Sequence, residues 1–314
     1  MAKTATAKKP AGRTANKTAN KLTVLACGHT TLDIDLVLTR HPDPSVVRHL
    51  MPCGHEPGLD GKIAHPIYAY VIDHDHARVL VDTGMSDTFS KDWKNNYYKD
   101  AMVYDPGEEG LFTQQLAKQD LKPSDFTDLV ITHLHTDHAG NVPMFAASEN
   151  TRILVHEDEL RGCITEKGGL LREDLLTLWG VTSPQGFTRK DFACLLPNRA
   201  TTVFGDQEIY RGIWTVSLPG HTWGTMGVAV NLPHSGWLLL ASDHIYLASS
   251  YGDPFYSNIL NHDPRRWAQS ALKVRRLVEK YSMRVLPGHD SKIIAPDKSC
   301  ERGYKLEDVM PLYE

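Results

Sequence analysis

Short apolar runs recur along the chain from Leu22 onward, and Gly, Pro, Asp or His closes most of them. Alternating or continuous apolar runs of about four to eight residues between turn-forming residues are typical of β-strands. The runs predict strands at residues 22–29, 67–75, 77–84, 128–132, 152–157, 201–205, 213–220, 227–233, 236–243 and 283–290.

Two other segments have the spacing of amphipathic helices, at residues 111–119 and 263–281. The second has a clear start, because Asp263 can cap the helix and the proline after it suits the first helical position. A third stretch, around residues 158–198, has a helix-like pattern and interrupts the strands. Strands that alternate with a few helices favour an α/β domain of packed layers.

Residues 1–21 differ from the rest of the chain because they carry six Lys or Arg and no acid. Removing this charge from the net −4 leaves about −10 on the remainder. The segment lacks the apolar core of a secretory signal, so we expect a disordered basic tail before one domain over 22–314. No apolar run reaches the length of about 18 residues that a membrane span needs, and a cytoplasmic protein is expected.

The five cysteines are scattered, odd in number and form no CxxC pair. This pattern indicates reduced thiols rather than a disulfide framework or a zinc ribbon. Any bound metal would therefore be held by histidines and carboxylates.

Seven histidines and aspartates lie where predicted strands end. ITHLHTDHAG, at residues 131–140, packs four of them behind an apolar run, and SLPGH, LLASD and VLPGH each carry one more. A packed sheet holds its strand ends firmly, so these junctions can place ligands accurately. The seven candidate metal ligands are His133, His135, Asp137, His138, His221, Asp243 and His289.

The number and spacing of these residues favour two metal ions. His133 and His135 are two positions apart and aim the same way in an extended chain, whereas Asp137 and His138 follow at a turn. Seven ligands without a thiolate are too many for one tetrahedral zinc. They suit two divalent ions about 3.5–4 Å apart, bridged by a carboxylate and a water. Imidazole with carboxylate favours zinc, with iron, manganese or cobalt as alternatives.

THLHTDHAG, VDTGMSD at 81–87, LPGHTWGTMG, ASD and LPGHD resemble the motifs of the metallo-β-lactamase superfamily, in the usual chain order. The resemblance covers about residues 22–295. It implies an α/β fold of the αββα type, in which two mixed sheets pack face to face with helices outside and metals at one edge.

The resemblance also implies a role for each ligand. One metal would be held by His133, His135 and His221. The other would be held by Asp137, His138 and His289. Asp243 would bridge the two ions, and Asp82 would orient a ligand histidine from behind.

The reaction that the resemblance implies is hydrolysis, with a metal-bridging hydroxide attacking a carbonyl or phosphoryl centre. Tyr246 stands three positions after Asp243, which is similar to N-acyl-homoserine lactone lactonases, the quorum-quenching branch. By that similarity, Tyr246 would bond the lactone carbonyl and Asp137 would carry a proton to the leaving alkoxide. The expected partner is thus a small molecule, with no nucleic acid and no membrane.

Three features depart from the lactonases. TWGTMG follows His221 where lactonases commonly continue with Pro-Gly-His, and DHAGNV has one glycine where two are frequent. The gap from His138 to His221 is also wide, which matches the helix-like insertion. That insertion could cover the site or form a homodimer contact. Candidate apolar walls for an acyl chain are Trp179, Phe187, Phe192, Trp223 and Phe255.

Other functions of the same fold stay open at this point. An arylesterase, a phosphotriesterase or a hydrolytic dehalogenase would use the same ligands. A persulfide dioxygenase uses a single iron and would leave the second ligand set without a role. A nuclease would employ the basic tail, but the body has no basic run with interleaved aromatics.

Overall fold

The computed structural model describes residues 20–33, 62–92, 102–108, 110–166, 186–196, 198–251 and 260–290. Most of the predicted tail, the middle of the insertion, Trp179 and Phe255 lie outside these ranges. The described strands are Lys21–Asp33 (β1), Lys62–His74 (β2), Ala77–Val81 (β3), Val103–Asp105 (β4), Asp128–Val130 (β5), Arg152–His156 (β6), Ala200–Val203 (β7), Gln207–Tyr210 (β8), Ile213–Ser217 (β9), Met226–Leu232 (β10), Gly236–Leu240 (β11) and Arg284–Leu286 (β12).

The helices of the described ranges are mostly short. They are Phe89–Asp92 (α1), Phe112–Lys118 (α2), Thr136–Ala139 (α3), Val142–Ala146 (α4), Glu157–Arg161 (α5), Arg189–Phe192 (α6) and Pro264–Tyr281 (α7). A π-helical turn at Gly162–Glu166 follows α5, and short 3-10 turns include Ser242–Ile245. Within these ranges, no helix combines the length and the apolar character needed to cross a bilayer.

The strands form two mixed sheets. The larger has the order β4-β1-β2-β3-β5-β6-β7, antiparallel from β4 to β3 and parallel from β3 to β7. The smaller has the order β12-β11-β10-β9-β8, antiparallel except for the parallel pair β11 and β12. Because β9 and β11 both run antiparallel to β10, the ends of β9, β11 and β12 point to the same edge.

Alternation along the strands buries both faces of each sheet. Val24 and Val130 of the larger sheet pack with Val228 and Leu240 of the smaller one, so this cluster lies between the sheets. The opposite faces pack against helices. Leu25 and Leu129 contact the cluster that contains Phe112 and Phe145, and Leu239 joins Val274 of α7. The predicted αββα sandwich is therefore confirmed.

Helix α7 forms where the sequence predicts it. Asp263 accepts hydrogen bonds from the backbone N–H groups of Arg265 and Arg266, at 2.9 and 3.0 Å, and Pro264 occupies the first turn. The helix ends at Tyr281 and is followed by the capping residue Ser282, which has a left-handed φ of 51°. Its buried stripe covers the outer face of the smaller sheet.

Strands β4 and β8 are absent from the sequence prediction. Both are short: β4 has one buried residue between two exposed ones, and β8 has two exposed residues followed by two half-buried ones, so neither has an apolar run. The stretch predicted to be helix-like is helical in part, since α5, the π-helical turn and α6 overlap it.

Candidate metal centre

The loop after β5 positions four of the predicted ligands. The chain is still extended at His135, which has φ −65° and ψ 152°, and then turns into helix α3. His133 and His135 consequently face each other, with Nε2 and Nδ1 3.0 Å apart. Asp137 and His138 lie in the first turn of α3, and this change of backbone direction aims them at a different point.

The smaller sheet supplies the other three ligands, one from each of three loops. His221 follows β9, Asp243 follows β11 and His289 follows β12. Both PGH loops need glycine for close backbone contact: a Cβ on Gly220 would lie 2.3 Å from the backbone nitrogen of Trp267, and a Cβ on Gly288 would lie 2.8 Å from the backbone of Ser242. Gly220 also has a φ of 138°, a conformation that side chains disfavour.

These seven side chains form two groups, and within each group the candidate ligand atoms lie within 4.8 Å of one another. Group one, as we call it, contains His133, His135, His221 and Asp243. Group two contains Asp137, His138 and His289. The structure thus brings together the residues that the sequence predicts for each metal.

The carboxylate of Asp243 lies between the two groups. Its Oδ2 is 3.2 Å from His221 Nε2 and 3.8 Å from His133 Nε2. Its Oδ1 is 3.0 Å from the Nε2 atoms of both His138 and His289. One oxygen therefore faces each group, which is the arrangement that a bridging carboxylate needs.

The arrangement of the donor atoms is better satisfied by divalent cations than by hydrogen bonds among the histidines. His135 Nδ1 lies 3.0 Å from His133 Nε2 and 3.1 Å from His221 Nε2. Three imidazole nitrogens that converge in this way cannot all be paired by shared protons, whereas a cation accepts all three lone pairs. Two divalent metal ions fit the donor set, with three histidines in one group and two histidines with a carboxylate in the other.

The outer ring nitrogens of several histidines face oxygen atoms. His138 Nδ1 is 2.8 Å from Asp82 Oδ2, His289 Nδ1 is 2.8 Å from the Pro66 carbonyl, and His221 Nδ1 is 3.3 Å from Asn261 Oδ1. A proton on each Nδ1 would leave the Nε2 lone pair directed at the centre.

Asp82 also ties the β5 loop to β3. Its carboxylate accepts hydrogen bonds from the N–H and the hydroxyl of Thr132, each at 2.8 Å. Its backbone is left-handed, with φ 60°, and its N–H donates to the carbonyl of Val130. The side chain therefore contacts His138 from a rigid position.

Burial and neighbouring charge push the histidine pKa values in opposite directions. Burial lowers the pKa of His133 and of His135, and the surrounding imidazoles lower it further. Burial opposes protonation of His138 as well, yet the nearby carboxylates, Asp243 foremost, raise its pKa. Because their pKa values are lowered, His133 and His135 are neutral at pH 7. Neutral imidazole is the form that binds metal.

Comparison with known proteins identifies the fold family. The chain matches the metallo-beta-lactamase superfamily over residues 63–289. This chain belongs to the metallo-beta-lactamase superfamily.

The relatives of this family member include lactonases. It is 28% identical over 286 residues to the N-acyl homoserine lactonase AiiB of Rhizobium rhizogenes, covering 88% of this chain and 95% of that one. It superposes on a variant of AiiA from B. thuringiensis, solved with N-decanoyl-L-homoserine at its active site, with a TM-score of 0.67, 23% identity and the same coverages of 88% and 95%. The dizinc quorum-quenching lactonase AidC, with a product bound, gives a TM-score of 0.62 at 15% identity, covering 88% and 89%. Family and relatives together indicate a metal-dependent hydrolase.

In this metallo-beta-lactamase family member, Tyr246 lies beside group two. The ring is 3% exposed and stacks at 4.3 Å, between centroids, against His289. Burial raises the pKa of Tyr246, and the charges of Asp243 and Asp137 raise it further, so the phenol keeps its proton. A protonated phenol so close to the ligands can donate a hydrogen bond to a bound molecule.

Three predicted pocket residues fall in the described ranges, Phe187, Phe192 and Trp223, and all three are buried in the core cluster. The Trp223 side chain is 4% exposed, and its ring centroid lies 5.6 Å from that of Phe187 and 4.8 Å from that of His262. Phe187 in turn lies 4.5 Å from the ring of His135. Trp223 thus lies behind the ligands, and a place for it in an acyl pocket stays a prediction.

Sequence reasoning missed two buried carboxylates near the centre, Asp191 and Glu159. Asp191, in α6, is 0% exposed and accepts a hydrogen bond at 2.8 Å from the hydroxyl of Thr136, the residue between His135 and Asp137. Glu159, in α5, is 0% exposed and hydrogen-bonds to residues next to the ligand histidines. It stands in the acidic run EDEL, a pattern that normally indicates an exposed helix start. No signal in the sequence distinguishes it from its acidic neighbours.

Proposed function

We propose that this chain is a two-metal lactonase that opens the ring of N-acyl-homoserine lactones. The observation that carries the proposal is Asp243, whose two oxygens face separate ligand groups with Tyr246 three residues away. The names of the relatives agree with this substrate class.

In this proposal, zinc occupies both groups. His133, His135 and His221 hold the first ion. Asp137, His138 and His289 hold the second. Asp243 holds both, and Asp82 fixes the orientation of His138. The N and O donors suit zinc, and the neighbour AidC is described as dizinc. When bound, such ions lower the pKa of water towards neutrality and polarise a carbonyl oxygen.

The protein's own groups then handle orientation and the proton. The Tyr246 phenol donates a hydrogen bond to the lactone carbonyl oxygen, where negative charge develops when the carbonyl carbon is attacked. Asp137 is the most accessible carboxylate of the centre, with its side chain 13% exposed. Its Oδ2 is 3.6 Å from His289 Nε2 and 3.7 Å from His138 Nε2. In this proposal Asp137 takes the proton that the attacking water releases and passes it to the departing ring oxygen.

Several finer points stay predictions that go with this function. The acyl chain would contact the apolar walls named from the sequence, and the helical insertion would cover the site or form a homodimer contact. A role in quorum quenching and a cytoplasmic location follow from the lactonase resemblance and from the sequence pattern.

A substrate panel tests the proposal. Zinc-loaded protein is given short- and long-chain acyl-homoserine lactones, a simple aryl ester and paraoxon, and ring opening is followed by acid release. We expect turnover of at least one lactone to exceed that of the ester and the phosphotriester. Turnover of only paraoxon or the ester would instead identify another hydrolase. Metal analysis of the protein as purified, before zinc is added, is the second readout, and one iron and no zinc per chain would favour the dioxygenase.

A further inference from the structure

Helix α5 brings a carboxylate to the back of group one. The helix follows β6 directly, and β6 is the parallel neighbour of β5, so both strands end at the edge that carries the ligands. Glu159 is the third residue of α5, and its side chain is completely buried. Burying a carboxylate destabilises the fold unless hydrogen-bond donors surround it. The donors around Glu159 therefore show which segments it holds in place.

Glu159 bonds to both loops that supply the histidines of group one. Its Oε1 accepts a hydrogen bond at 2.9 Å from the N–H of Leu134, the residue between His133 and His135. Its Oε2 accepts from the hydroxyl of Thr222 at 2.6 Å and from the N–H of Gly224 at 2.9 Å. Thr222 directly follows His221 in the chain. One side chain therefore ties the β5 loop to the β9 loop across the two sheets.

Close backbone packing shows that this contact is built into the fold. A Cβ on Gly224 would lie 2.5 Å from the backbone nitrogen of Glu159 and 2.9 Å from its Cβ. A Cβ on Gly162, at the end of α5, would overlap the indole of Trp223. Two glycines, one on each partner, thus let helix and loop approach closely enough for the hydrogen bonds to form.

Group two has supports of its own. Asp82 contacts His138, and the Pro66 carbonyl contacts His289. Glu159 accepts three hydrogen bonds, all from residues adjacent to group-one histidines or from their loop. Asp82 also bonds to Thr132, the residue before His133, so it supports both groups, whereas the hydrogen bonds of Glu159 serve group one.

We propose that Glu159 is a positioning residue for group one, which holds His133, His135 and His221 at metal-binding distance and leaves group two unaffected. The inference rests on the proposed two-metal site. In this proposal, α5, a helix outside the ligand loops, controls how tightly one ion binds rather than how stable the whole fold is.

The chemistry of the contact selects Glu159→Gln as the sharpest variant. Glutamine has nearly the same shape, but one of its two terminal atoms is an NH₂ donor. Leu134 and Gly224 offer backbone N–H groups to opposite oxygens, so either orientation of the amide leaves a donor facing a donor. The amide cannot rotate out of this conflict. Thr222→Val is the milder variant, because it removes one donor of the three.

Asp128 provides the matched control. It is 1% exposed and accepts hydrogen bonds from Arg152 Nε at 2.6 Å, Tyr210 Oη at 2.7 Å and Thr127 Oγ1 at 2.8 Å. It starts β5, at the opposite end from the ligand loop. Asp128→Asn therefore makes the same chemical change in an equally bonded carboxylate, away from the centre.

The experiment is a Co²⁺ titration of the metal-free full chain. Binding is monitored by calorimetry and by the visible absorption of the bound ion. We expect two ions in the wild type. In Glu159→Gln, one ion should bind normally and the other about 10–100-fold more weakly, the usual effect of removing a group that orients a ligand. Thr222→Val should weaken the same ion less, and Asp128→Asn should keep both affinities even if its Tm falls.

A double-variant cycle identifies the weakened site. In His289→Ala, which damages group two, adding Glu159→Gln should weaken the remaining ion about 10–100-fold. In His221→Ala, which damages group one, adding Glu159→Gln should leave the affinity of the remaining ion unchanged.

The outcomes separate the two proposals. A wild type that binds no Co²⁺, or only one ion, contradicts the two-metal function itself. A wild type with two ions and a Glu159→Gln protein with both affinities unchanged overturns the positioning role alone. Equal weakening of both ions, or the same loss in Asp128→Asn, also overturns it, because that would be general destabilisation. If Glu159→Gln does not fold, Thr222→Val decides by the same criteria.

Discussion

The two sheets contribute to the candidate metal centre in different ways. The larger sheet supplies four ligands from six consecutive positions after β5, whereas the smaller sheet supplies three ligands from three loops far apart in the chain. The first set, here called the local set, contains His133, His135, Asp137 and His138. The second, the dispersed set, contains His221, Asp243 and His289.

The difference shows two means of placing a side chain. One extended turn and the start of α3 position the local set. The backbone conformation of this one segment therefore largely determines the geometry of its four ligands. The dispersed set depends on close backbone contacts, such as Gly288 against Ser242 and Gly220 against the start of α7. We therefore expect the dispersed set to be the more sensitive to changes in distant packing.

The largest expected effect comes from Asp243, the member of the dispersed set that faces both groups. In Asp243→Ala, both sites lose a ligand, and lactone turnover should fall by more than about 100-fold, since even an orienting group costs about 10–100-fold. Bound metal is counted by elemental analysis alongside the rate. A variant that retained two ions and full turnover would show that Asp243 is not the bridge.

Tyr246 should have the next largest effect. Tyr246→Phe removes only the phenol oxygen, and the lactone kcat should fall by about 10–100-fold with metal content unchanged, because a donor to the developing charge is lost. Tyr104→Phe is the control, since that phenol donates to the Cys27 carbonyl at 2.9 Å in the core. An equal rate loss in both variants, or none in Tyr246→Phe, argues against the assigned role.

Gly288 tests the sensitivity of the dispersed set directly. Gly288→Ala places a methyl group 2.8 Å from the Ser242 backbone and 3.0 Å from Asp243 Oδ1. We expect a loss of about 1–3 kcal/mol in the free energy of unfolding, with weaker metal binding. Gly205→Ala is the comparison, because Gly205 has a φ of 55° and open space around its Cβ position. That variant should cost stability through backbone strain alone and bind metal normally.

The smallest effect is expected at Asp263, which caps α7. Asp263→Ala removes the acceptor for two backbone N–H groups, and Tm should fall by about 1–3 °C with metal content unchanged. These hydrogen bonds lower the pKa of Asp263 below its usual 3.8. The stabilisation is thus present at neutral pH and is lost as the pH falls through that lowered pKa, where the Tm of the variant should approach that of the wild type. Reduced metal binding at neutral pH would mean that α7 controls the His221 loop.

Local pattern was enough to predict most strands and helix α7. The runs that lead to the ligands are strongly apolar, since the strands are buried on both faces, and each stops abruptly at Gly, Pro or a polar residue. Strands β4 and β8 lack such runs, because pairing along the sheet rather than burial keeps them extended. Glu159 could not be found, because its burial depends on where α5 packs and not on its neighbours in the chain.

The sequence alone determined which residue types stand at the ends of the strands, because strand periodicity and turn chemistry act over a few residues. It therefore defined the seven candidate ligands, the absence of thiolates among them and the resemblance that carries the fold. Only the tertiary structure decided that one oxygen of Asp243 faces each group, that Tyr246 stacks on His289, and that Glu159 joins two loops. These are contacts between segments tens to hundreds of residues apart, and they are set by how two sheets and a helix pack.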